Sequence, residues 1–147
     1  MSSPGPTTLI VETTADEESP FDFLGDSSDI VYFMSFAHTE RYGAHHPLAK
    51  AAAVLKRTLR INIAPLMTFA DARTEDAEDE ALLERIWQDA APLADSARAV
   101  AAAIETTPEL RDLTSDFPEL PQRLRELADM ADWAAARLAK VRLTYVL

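Results

Sequence analysis

All three histidines of this 147-residue chain, His38, His45 and His46, fall within nine residues, in the run Phe36-Ala37-His38-Thr39-Glu40-Arg41-Tyr42-Gly43-Ala44-His45-His46-Pro47. Imidazoles with a nearby carboxylate and guanidinium can move protons, hold an oxyanion or ligate a metal. The metal candidates are His38, His45 and His46, with Glu40 and acids from another helix. Imidazole and carboxylate suit zinc, iron or manganese. The spacing is not a known ligand frame, and the Glu-x-x-His pairs of di-metal helical bundles do not occur. The catalytic candidates are His38, Arg41 and His46. The plainest account needs no chemistry: a helix C-terminus attracts His and Arg, and His46, just before Pro47, can cap the next helix.

Two stretches of this run each resemble a family. Arg41, four residues and His46 are similar to the Arg-x4–6-His signature of HEPN ribonucleases, which are small helical bundles. That resemblance implies acid–base chemistry at His46 and phosphate held by Arg41, and the basic face of the following helix would favour a polyanion. Tyr42 stands where that family usually has a polar residue. His38-Thr39-Glu40-Arg41 resembles the His-x-x-Lys-Gly of histidine phosphotransfer domains, which are acidic four-helix bundles. It implies a phosphate on His38, with Arg41 in place of the lysine and Tyr42 in place of the glycine.

Stronger enzyme signatures are missing. The sequence has no glycine-rich phosphate loop, no Gly-x-Ser-x-Gly elbow and no His-Glu-x-x-His. It has no cysteine, which excludes disulfides, thiolate metal sites and cysteine nucleophiles. No signal peptide or membrane span is visible, so a cytoplasmic location is the default. The formal net charge is −11, concentrated in residues 1–29, which hold seven acids and no Lys or Arg. Residues 36–62 are basic and residues 71–80 acidic again, so charge is segregated along the chain. No membrane partner and no cofactor is expected, and nucleic acid is not an expected partner.

The elements that must position these residues read as helices. Few glycines, abundant Ala, Leu, Glu and Arg, and few β-branched runs argue against an all-β chain. Residues 1–28 read as an acidic, mostly irregular tail, interrupted by the apolar clusters Leu9-Ile10-Val11 and Phe21-Asp22-Phe23-Leu24. Ser27-Ser28-Asp29 suit a helix start, and Gly43 suits its end. A second helix starts at Pro47 with Leu48, Ala52, Leu55, Leu59 and Ile63 inward, and Lys50, Lys56, Arg57 and Arg60 outward. Leu83, Ile86, Ala90, Leu93, Ala97, Val100 and Ile104 keep heptad spacing, with Pro92 as a kink or break. Leu120, Leu124, Leu127, Ala131, Ala134, Leu138, Val141 and Tyr145 keep it again, starting near Pro118 or Pro121. Two such segments imply an antiparallel helical hairpin. The expected fold is therefore all-α: an antiparallel up-and-down four-helix bundle over residues 29–147 behind a partly ordered tail.

The expected function is a non-enzymatic protein-interaction or regulatory module, with a protein partner or a second copy as ligand. A ribonuclease, a histidine phosphocarrier and a metal-binding bundle stand as alternatives at the histidine run. The partner-binding candidates are Phe21, Phe23 and Leu24 in the tail, and Trp133, which lies with Met130 and Arg137 on a stripe beside the second heptad seam. Trp, Met and Arg are enriched at interfaces.

Overall fold

A computed structural model describes residues 7–39 and 45–146. Among these the chain forms six α-helices and a four-stranded mixed sheet. In chain order they are β1 (Thr8–Thr13), α1 (Ser28–Thr39), α2 (Pro47–Ala53), β2 (Phe69–Asp71), α3 (Ala77–Arg85), β3 (Gln88–Asp89), α4 (Ala90–Thr106), α5 (Pro108–Leu113), α6 (Leu120–Ala136) and β4 (Lys140–Val146). A π-helical turn over Val54–Thr58 follows α2, and a 3-10 turn occupies Ala64–Met67.

The expectation of an all-α four-helix bundle is overturned by the sheet. Its centre is β4, which pairs antiparallel with β1 on one side and, on the other, parallel with β2 and antiparallel with β3. Val141 and Tyr145, placed by their spacing at the end of the last helix, lie on this strand. Residues four apart share a face in a strand as well as in a helix, so the heptad count ran on past the helix end. The discriminating residue is Leu143, which lies off the helical stripe but on the same strand face as Val141. Both side chains are fully buried. The Leu9-Ile10-Val11 cluster likewise belongs to a strand, with Leu9 opposite Tyr145 and Val11 opposite Leu143.

Helix α6 ends in a Schellman arrangement. The Ala139 N–H donates to the Ala134 carbonyl and the Leu138 N–H to that of Ala135. That geometry puts Leu138 at φ 57°, a left-handed conformation normally given to glycine. Its side chain is 96% exposed, so nothing compensates the strain. Leu138→Gly is expected to raise stability by about 1 kcal/mol in urea titration. A helix running on to Tyr145 would instead lose about that much.

The two heptad segments do pack antiparallel as α4 and α6. Arg98 on α4 bonds Asp129 and Asp132 on α6, while Glu105, further along α4, meets Arg125, earlier on α6. Leu93, Ala97, Val100 and Ile104 face Leu120, Leu124, Leu127, Ala131 and Ala134 in the common core. The first heptad segment is not one helix: α3, with no buried residue, and β3 precede α4. Pro92 falls in the first turn of α4, where a missing N–H costs nothing. The second helix also stops early, at Ala53, and widens into the π-helical turn, leaving Leu59 exposed. Gly43, expected to end the first helix, lies outside the described residues. No helix among the described residues is long and apolar enough to cross a membrane.

Candidate functional site

A cavity of about 640 Å³ lies in the segment expected to be tail. Its walls are β1 and the strap of residues 14–26 that joins β1 to α1. Val11, Glu18, Phe21, Phe23 and Met130 are among its lining residues. Both ends of the strap are tied to the sheet. At its start the Thr14 N–H donates to the Lys140 carbonyl at 3.0 Å, and the Lys140 N–H donates to Thr14 Oγ1 at 2.9 Å. Just past its end, Ser27 Oγ accepts the N–H of Leu9 at 2.9 Å. The strap therefore leaves the last residue of β1 and returns beside its second, Leu9, leaving a slot between.

The wall formed by β1 is an open strand edge. Alternation in an antiparallel ladder sends successive backbone groups to opposite sides. Thr14 faces β4 and the Leu9 N–H faces Ser27, so the even residues of β1 bond β4. The N–H and C=O groups of Val11 and Thr13 then point outward, and those of Val11 meet no partner among the described residues.

Two arginines brace the sheet around the slot. Arg142 bonds Glu12 at 2.9 Å, donates to the Leu83 carbonyl at 3.2 Å and stacks over Trp87 at 4.4 Å. Arg137 bonds Glu17 in the strap at 2.6 Å and lies 4.0 Å over Trp133. The far end of the strap is held by a buried charge pair on α6. Arg123 pairs with Glu126, and Glu126 Oε1 also accepts the Leu24 N–H at 3.2 Å. Gly25 passes so close that a Cβ there would sit 3.1 Å from Arg123 Nη2.

This pair sets the local protonation. Desolvation by burial raises the Glu126 pKa, but hydrogen bonds from Gln122, Arg123 and the Leu24 N–H outweigh it, so the net shift is downward. Asp29, at the start of α1, shifts upward. Burial is the main cause, followed by repulsion from Asp26 and Glu119, against the opposing pull of Arg123.

The four partner-binding candidates separate. Phe21 and Phe23 line the slot, and Phe23 also packs on the core. Leu24 projects outward at 83% exposure while its backbone is anchored. Trp133 is buried, with Arg137 over its ring, so it presents no open surface. The sequence reading missed Arg123, Glu126 and the open edge. The run Thr8-Leu9-Ile10-Val11, rich in β-branched residues, carried the signal for the strand.

The histidine run divides as well. His46 caps α2: its Nδ1 accepts the Leu48 N–H at 3.1 Å, and its ring stacks flat on Phe36, centroids 3.6 Å apart. His46→Ala is expected to cost roughly 1 kcal/mol in thermal denaturation. His46→Asn should recover the cap but not the stacking. His38, exposed at the end of α1, lines a separate cavity of about 280 Å³ with Lys56, Asn62 and Met67, and His46 is not among its walls. His45 is exposed. Glu40 and Arg41 lie outside the described residues. Among the described residues, no three His, Asp or Glu side chains are grouped to hold a metal ion.

Comparison with known proteins gives no match: no family model, no curated protein and no solved structure corresponds to the chain.

Proposed function

We propose that this protein is a non-enzymatic interaction module that receives a segment of a partner protein in the slot between β1 and the strap. The observation that carries this reading is the open backbone edge of β1 facing a cavity of about 640 Å³ with Phe21 and Phe23 in its walls. An unpaired strand edge is a template for another chain, and natural proteins usually cover or blunt it. Here the strap guards the edge without pairing to it. Aromatic side chains beside free backbone donors and acceptors give a binder both anchoring area and register.

The test is selection of a displayed random-peptide library on the wild-type protein, with counter-selection on Phe21→Asp. Phe21 is half exposed, so the substitution should spare folding. Enriched peptides are expected to bind at least tenfold more weakly to the variant. If no peptide is enriched, or all bind both proteins equally, the slot is not an interaction site.

A further inference from the structure

Resting on that reading, we infer that the occupant of the slot is an extended cationic peptide of about six residues that adds to the open edge of β1 as a further strand, with basic and apolar side chains alternating.

The backbone argument fixes the conformation. Leu9 spends its outward N–H on Ser27, but its C=O, both groups of Val11 and the N–H of Thr13 remain along the edge. Only an extended chain presents donors and acceptors at the matching spacing. The six residues of β1 set the length, about 20 Å at 3.3 Å per residue.

Charge fixes the chemistry. Five acids line the slot: Glu12, Asp16, Glu17, Glu18 and Asp22. Arg142 neutralises Glu12 and Arg137 neutralises Glu17. Asp16, Glu18 and Asp22 have no cationic partner among the described residues. An incoming Lys or Arg would complete what these three lack. The same acids disfavour a second copy of this chain, because pairing β1 with β1 would bring two acidic straps together. Alternation follows from strand geometry: residues on one face meet Phe23 and Met130, and those between them are free to carry charge.

The test uses fluorescein-labelled hexapeptides: alternating Lys and Val, alternating Glu and Val, and the Lys-Val peptide with alternate backbone nitrogens methylated. Binding is read by anisotropy at 50 and 200 mM salt, and hydrogen exchange follows the Val11 amide. The Lys-Val peptide is expected to bind at least tenfold more tightly than either control, to weaken with salt and to protect the Val11 amide. Val11→Pro removes an outward donor while sparing the ladder to β4, as proline does on edge strands. It should cost tenfold or more. Glu18→Lys with Asp22→Lys, both exposed, should do the same without touching the sheet. These charge reversals and the wild-type amide protection decide the matter even if Val11→Pro fails to fold. If the Glu-Val peptide binds equally well in a Phe21-dependent way, the cationic occupant is overturned and the interaction module stands. If the Lys-Val peptide binds with the Val11 amide unprotected, strand addition is overturned. If no hexapeptide binds while library peptides do, both features of the occupant are overturned. If neither binds, the module reading falls with them.

Discussion

Glu126→Ala should destabilise the protein by about 3–5 kcal/mol, the usual cost of leaving one partner of a buried ion pair alone. Arg123 and Glu126 are both buried, with the residues 7% and 6% exposed, so water cannot replace the lost carboxylate. Among the described residues, the Arg123 Nε already has no partner, and Glu119 is left as its one bonded acid, at 3.3 Å. For a domain of this size the melting temperature should fall by roughly 10 °C. Two comparisons separate charge from packing. Glu126→Gln keeps an acceptor for the Leu24 N–H and should cost less. Replacing the pair together, Arg123→Met with Glu126→Leu, should cost less than Glu126→Ala, because no orphan charge remains.

The same pair gives the stability a pH dependence of known sign. Glu126 is held below its ordinary pKa in the folded state, so its contribution is present above the unfolded carboxylate range. It is lost as pH falls through the folded value. Asp29 is shifted upward and acts in the opposite sense: its contribution is present at low pH and lost as pH rises through its folded value. Asp29→Asn should therefore stabilise the protein near neutral pH, measured by urea titration at pH 7, and the gain should vanish in acid.

The second large effect is expected at Leu143→Ala, about 2–5 kcal/mol. Leu143 is fully buried on the central strand, opposite Val11 on one side and Phe69 on the other. Its loss opens a void where three strands and the helical layer meet. Leu138→Ala, five residues earlier and exposed, is the control and should change stability by less than 0.5 kcal/mol. A chain whose last element were a helix on the Leu138, Val141 and Tyr145 stripe would reverse that ranking.

That contrast shows how much the sequence disclosed. The α4–α6 seam was readable because Leu93 to Ile104 and Leu120 to Ala134 sustain a period that no strand shares. β4 was not, because Val141 and Tyr145 satisfy both periods and the turn before them uses Leu138 where a glycine would have announced it. Arg60, at φ 58°, hides the end of the second helical segment in the same way. Phe21 and Phe23 stood out as candidates because aromatics in an acidic, proline-bearing stretch need a reason to be there, and both line the slot. The edge they face was not, since an open edge is a property of the sheet. Arg123 and Glu126 were hidden by their ordinary look on a helix, three apart, where such pairs are usually solvated.

The position of β4 at the centre of the sheet also orders events during synthesis. β1 leaves the ribosome before β2, β3 and β4, yet its register partner for Thr8 is Val146, almost the whole described chain away. Neither β1 nor β2 has a strand to join until β4 has emerged. The α4–α6 hairpin closes over residues 107–119, which carry α5, and can form beforehand. The largest sequence separations therefore fall on the sheet, and the nascent chain carries the apolar run Leu9-Ile10-Val11 as a bare edge until β4 arrives.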